Sequence, residues 1–98
     1  MSVTIDSVLV QDNEPAAADL DGSVVVLSVR AGSYFGFNRV ASEIWHMLAA
    51  PCRVGQIFAS LSERHDVDAE GLVRDVTPFL QTLVKHRLVR VIDPGEAR

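Results

Sequence analysis

Cysteine is almost missing from this chain. Cys52 is alone among 98 residues, so no internal disulfide can form. One cysteine with three scattered histidines, His46, His65 and His86, also falls far short of a structural zinc set. Redox chemistry, a metal and a cofactor are therefore not expected. Basic residues are scarce as well: nine Lys and Arg stand against thirteen Asp and Glu, a formal net charge of -4. That sign is wrong for a domain whose affinity comes from neutralising phosphates, so nucleic acid is a disfavoured partner. Long apolar runs are absent too. No stretch approaches the roughly 18 residues that span a bilayer. The start, "MSVTIDSVLVQD", lacks a basic flank followed by a long apolar segment. The expectation is a cytoplasmic protein with no membrane contact. Finally, Gly32, Gly36, Gly55 and Gly71 are isolated, and neither GxGxxG nor a Walker pattern occurs, so nothing cradles a nucleotide.

What is present is a globular balance, 48% apolar and 22% charged, over a length that suits one domain. We read residues 1–98 as that domain, with a core over about 7–92 and "DPGEAR" (93–98) as a loose tail. "SVLVQD" (Ser7 to Asp12) is β-branched at Val8 and Val10 and suits a first strand, with "VTI" at Val3 to Ile5 as an upstream extension. "NEPAAADLDG" gathers Pro15, Asp21 and Gly22 among small residues and reads as a loop ending in an Asp-Gly turn. "SVVVLSV" (Ser23 to Val29) is apolar at both alternating sets, the pattern of a central strand covered on both faces. A tight "RAGS" connection then leads to "YFGF", so the second and third strands form an antiparallel hairpin.

Three helices follow. Ala41, Ile44, Trp45 and Leu48 make one apolar stripe after Asn38 as N-cap, and Pro51 stops that helix. Val54, Ile57, Phe58 and Leu61 repeat the spacing, with the polar "SERHD" ending the run. The third helix, over about 69–87, starts from Asp68 as N-cap with Glu70 in its first turn. Leu72, Val76, Phe79 and Leu83 form one row on it, and Val73, Leu80 and Val84 a neighbouring row. Pro78 inside it predicts a kink near Arg74 to Pro78. "LVRVI" after Arg87 adds a short closing strand. The fold class is α+β and winged-helix-like: a three-stranded antiparallel sheet followed by three helices, with the first and third strands as the sheet edges.

Catalytic constellations are weak. His46 and Cys52 are the minimum for a nucleophile and its base, but no nucleophile turn or oxyanion cradle surrounds them. Asp66, Asp68, Glu70 and Asp75 are dispersed and read as a solvated helix start. What remains is a surface. An exposed strand edge is a template for another chain's backbone, and the third strand is the more suggestive one. Tyr34 and the side-chain-free Gly36 share one face, while Phe35 and Phe37 fill the core beneath the first helix. The second apolar row of the third helix is wider than a small sheet needs, which points to a groove beside that edge.

These same residues carry a family likeness. "YFGFNRVASEIW" resembles the strand-to-helix signature of PqqD-like proteins, with Phe37-Asn38, Ala41 and Ile44-Trp45 in the signature positions. "VGQIFASLSERHDVDAEGLVRDVTPFLQTLVKHRLV" is similar to the rest of that family, so the likeness covers about Ser7 to Val89. Such proteins resemble RiPP recognition elements, which bind the leader segment of a ribosomally made precursor peptide. The resemblance implies a non-enzymatic domain in which the leader pairs as an added strand along the third strand (33–38), in a groove against the third helix. The implied contacts are Ser33, Tyr34, Phe35, Gly36 and Phe37 from the strand and Leu72, Val73, Val76 and Leu80 from the helix, with Asp75 as partner for a basic leader residue.

The chain departs from the family pattern in three places. Arg53 stands where a capping Ser or Thr is common, Arg87 where a Gly commonly ends the third helix, and Pro78 interrupts that helix. The stand-alone length and "Y-x-G-x-N" flavour look most like the split leader-binding subunits of lasso peptide clusters. Such a subunit implies a separate cysteine-protease-type leader peptidase and a cyclase as partners, while the exposed strand edge, able to pair two copies, gives the expectation of a monomer or weak dimer. The competing readings are a peptide chaperone of pyrroloquinoline quinone synthesis, a winged-helix DNA regulator and a small hydrolase built on Cys52 and His46.

Overall fold

Two short antiparallel sheets and three helices share one core, in a computed structural model that describes residues 3–13, 15–21, 23–30, 32–65 and 68–92. The elements run β1 (Val8–Gln11), β2 (Ala16–Leu20), β3 (Ser23–Ser28), β4 (Ser33–Phe37), α1 (Arg39–Met47), β5 (Cys52–Arg53), α2 (Val54–His65), α3 (Ala69–Lys85) and β6 (Val89–Ile92). The α+β class and the three helices are as the sequence predicts. Gly22 of the expected turn and the expected tail at 93–98 lie outside the described residues.

The strand pairing differs from expectation in one respect. β1 does not border β3; it is the centre of its own sheet, in the order β5-β1-β6. The segment read as a loop supplies the missing strand instead. β2 pairs with β3 from Ala16 opposite Leu27 to Leu20 opposite Ser23, giving a second sheet in the order β2-β3-β4. Three alanines are poor strand formers, so propensity hid β2, and its whole length is exposed. The upstream "VTI" is not a strand either; Ser7 N–H donates to the Thr4 carbonyl (3.0 Å) in a turn.

β3 decides which way the second sheet faces. Val24, Val26 and Ser28 are buried while Ser23, Val25 and Leu27 are half-buried, so one face packs inward and the other is only partly covered. This corrects the expectation of a strand covered on both sides. Ser42 at the start of α1 fastens the inner face: the Val24 N–H donates to its Oγ (2.8 Å), and its hydroxyl donates to the Phe37 carbonyl (3.3 Å). Asn38 caps α1 as predicted, its Oδ1 accepting from the Ala41 N–H at 2.8 Å.

Helix α2 runs through "SERH" to His65 instead of ending before it. Its last turn is tied to α1, with His65 Nε2 2.7 Å from Glu43 Oε2 and Arg64 Nη1 3.8 Å from Glu43 Oε1. In place of a capping Ser at Arg53, the Gln56 side chain accepts the Arg53 N–H at 3.4 Å.

Helix α3 carries Pro78 within its span. It closes in a Schellman motif: Arg87 N–H donates to the Val84 carbonyl (3.1 Å) and Leu88 N–H to the Leu83 carbonyl (2.9 Å). Arg87 therefore sits at φ 58, the left-handed position that Gly ordinarily takes. The buried side chains of Leu9, Val24, Val26, Ile44, Trp45, Ile57, Leu61, Leu80 and Leu83 join all three helices to both sheets.

Candidate peptide-binding edge

The edge is built by β4. It pairs with β3 from Val24 opposite Phe37 to Ser28 opposite Ser33, and among the described residues no strand pairs with its other side. Alternation places Phe35 and Phe37 on the inner face with Val26 and Val24, and Tyr34 and Gly36 on the outer face with Leu27 and Val25. Gly36 has nothing within 4 Å of the space a Cβ would occupy, so the backbone there is open to approach.

Helix α3 supplies the flank beside this edge. The Phe79 ring meets Phe37 edge-on (centroids 5.3 Å apart, 87° between planes), and the His86 ring leans on Phe35 at 5.1 Å. Phe79 and His86 belong to one line along the helix with Asp75 and Thr82, at i, i+4, i+7 and i+11. Phe35, Phe79 and His86 are each half-buried, whereas Asp75 and Thr82 are exposed. A seam floored by aromatic rings thus runs between a strand edge that no described strand covers and a helix flank, with Asp75 at one end and His86 at the other.

The residues singled out from the sequence divide into two sets. Ser33, Tyr34 and Gly36 are exposed on β4, Phe35 is half-buried beside them, and Asp75 is exposed on the α3 flank. Phe37, Leu72, Val76 and Leu80 are core residues, at 7%, 7%, 5% and 0% exposure. Leu72, Val76 and Leu80, assigned to a peptide from the sequence, are therefore turned inward into the core, where α3 meets α2 and β6. Val73 is exposed, but it lies about 120° around α3 from Phe79, on the flank away from β4. The sequence pattern puts Phe79 in a row with Leu72, Val76 and Leu83 and names none of Phe79, Thr82 and His86 as a contact. The signal that could have found them is the four-residue line from Asp75 to His86, masked because a Phe within it reads as core.

Electrostatics add little to the seam. Arg74 Nε lies 3.9 Å from Asp75 Oδ1 with both side chains largely exposed, a surface pair that contributes about 0–1 kcal/mol. The two candidate catalytic residues have separate partners. His46 Nε2 is 3.0 Å from Asp19 Oδ1, tying α1 to β2, while Cys52 Sγ points toward the Arg53 carbonyl (3.6 Å) and Gln56 Oε1 (3.9 Å). Burial pushes the Cys52 thiol above its ordinary pKa, which lowers the thiolate fraction a nucleophile needs. Among the described residues, no group of three His, Cys, Asp or Glu side chains is arranged to hold a metal ion, and no helix is long and apolar enough to cross a membrane.

Against known families, residues 23–89 match the model described as coenzyme PQQ synthesis protein D (PqqD), a span that runs from the start of β3 into β6. The chain belongs to the PqqD family. A solved structure, TbiB1 in complex with the TbiA(beta) leader peptide, is similar to this PqqD-family chain at 30% sequence identity and a TM-score of 0.75. The similarity covers 82% of this chain and 93% of that one. Among curated proteins no relative matches. The matched span contains the β3–β4 hairpin and all three helices, and so the whole of the seam. β1 and β2 lie outside it.

Proposed function

We propose that this chain is a RiPP recognition element of the lasso peptide type. It binds the leader of a ribosomally made precursor peptide and presents it to a separate leader peptidase and a cyclase, without catalysing a reaction itself. The observation that carries the reading is that β4 is the edge strand of its sheet among the described residues and lies beside the aromatic seam of α3. A leader strand added there gains main-chain hydrogen bonds from the edge, and alternate side chains drop onto Phe35, Phe79 and His86. The contact surface we assign is the Ser33–Phe37 backbone with the Asp75, Phe79, Thr82 and His86 line of α3. Phe37, Leu72, Val76 and Leu80 support it from the core. The similar TbiB1 structure holds a leader peptide, which supports the same class of ligand for this chain.

Strand addition makes a specific demand. In a ladder, only every second residue of the added strand turns its N–H toward the partner. A fluorescein-labelled synthetic leader, from the precursor encoded beside this gene, is scanned with single N-methyl residues and followed by fluorescence polarisation. Affinity should fall at every second position through the bound stretch. Losses without that period of two would remove the strand-addition mode. Absence of any binding would remove the leader-binding reading. The family description also fits a peptide chaperone of pyrroloquinoline quinone synthesis, and that precursor binding in place of a lasso leader would favour it.

A further inference from the structure

Strand addition commits a leader to two faces at once. A strand added along β4 turns alternate side chains into the seam and the others onto the outer face of the β2-β3-β4 sheet. The register shows what those outward side chains meet. Ala16, Leu27 and Tyr34 form one row across the outer face, and Ala18, Val25 and Gly36 form the next. The sidedness is fixed by Asp19: it shares a face with Val24 and reaches His46 of α1, so Ala18 beside it points away from the helices. The two rows differ in height. The first ends at the β4 edge in Tyr34, 74% exposed, with the half-buried Leu27 behind it. The second ends in Gly36, where nothing lies within 4 Å of the space a Cβ would fill, with the half-buried Val25 and then Ala18 behind it. The low row is a lane that opens at the edge and runs inward beside a wall of Leu27 and Tyr34. None of these six residues is charged.

We propose that Gly36 makes this lane a side-chain subsite, selecting an aromatic residue in the leader at the position directly opposite Gly36. The inference rests on the leader-binding reading above and deepens it. The occupant follows from the geometry of an added strand, because one outward side chain of the leader must stand beside Gly36. Reach decides its class. Strands lie about 4.8 Å apart, so Val25 is roughly 10 Å from the leader backbone, two spacings away. A short side chain ends over Gly36. An aromatic ring lies across the glycine toward Val25 and borders Tyr34 on the diagonal, a separation that aromatic side chains bridge. A charged residue finds no ionic partner in either row. Glycine in an edge strand has a simpler use, the close approach of another backbone, and the two roles differ in what they couple to.

Fluorescence polarisation with the full chain and the labelled synthetic leader separates them. The leader is scanned with single alanines against the parent and against Gly36→Val, a β-branched residue that suits a strand and has open space for its side chain. With the parent, alanine at one aromatic position should weaken binding at least tenfold. Gly36→Val should weaken the unmodified leader at least tenfold, while the leader with alanine at that position binds parent and variant within about twofold. Tyr34→Ala, at an exposed side chain, is the second arm: it should weaken the unmodified leader about threefold and leave the alanine leader unaffected. Equal losses for both leaders on Gly36→Val assign the glycine to backbone approach alone and overturn the proposal. So does a scan in which no aromatic position couples to residue 36. If Gly36→Val lacks a cooperative thermal melt, the Tyr34→Ala arm decides, and equal losses for both leaders there overturn the proposal. Failure of the parent to bind the unmodified leader is a separate result, which removes the leader-binding reading and this inference with it.

Discussion

Single residues carry two of the constraints on this fold, and they differ in how visible they are. Ser42 is 3% exposed and joins the sheet to α1 by accepting from Val24 and donating to Phe37. Ser42→Ala leaves the buried Val24 N–H without that acceptor, so a loss of about 1–3 kcal/mol is expected in urea unfolding. Nothing in the sequence announces this, because a serine in the first turn of a helix reads as a neutral surface choice. Arg87 is the opposite case. Its place at the end of α3 is legible as a position where Gly is usual, and the left-handed φ of 58 gives the physical reason. Arg87→Gly should therefore stabilise the fold by about 1 kcal/mol, read as a higher urea midpoint with an unchanged slope. A lower midpoint would mean that the Arg87 side chain makes a compensating contact.

At the scale of elements, α3 is where sequence and structure part most. Its apolar stripe was legible, and so was its position beside the aromatic strand. Which side of the stripe meets the strand was not, because periodicity gives angles around one helix axis and not the rotation of that helix against its neighbours. The Phe37–Phe79 and Phe35–His86 ring contacts fix that rotation. They also yield a contrast between two substitutions on one helix. Phe79→Ala opens the floor of the seam and should weaken leader binding at least tenfold, about 1.4 kcal/mol or more. Val73→Ala, on the far flank, should leave it within about twofold. Fluorescence polarisation with thermal melts of both variants separates loss of contact from loss of fold, and the reverse order of effects would return the peptide to the Val73 side. β2 failed for another reason. Its alanines carry no strand signal, and only pairing with β3 makes the segment extended.

Over the whole molecule, the seam depends on a sheet that supplies none of its residues. The family match begins at residue 23, yet β1 is the central strand of the β5-β1-β6 sheet and pairs with β6 along Val8 to Gln11. Leu9 is fully buried and Val8 nearly so, at 6%. Gln11 anchors the end of α1 twice, its side-chain amide donating to the Trp45 carbonyl and its N–H to the Leu48 carbonyl, each at 2.7 Å. Through α1 that attachment reaches Ser42 and the inner face of β3 and β4. Removing residues 1–12 deletes a Leu whose truncation alone costs about 2–5 kcal/mol. It also deletes a neighbouring Val, four ladder pairs with β6 and both anchors of α1. Total stabilities are typically about 5–15 kcal/mol, so the sum rivals the whole. The shortened chain should lose its cooperative thermal transition and its leader binding together, although every residue of the seam is still present. A truncated chain that melts cooperatively and binds the leader with parental affinity would show that the family-matched span folds alone and that β1 is an accessory.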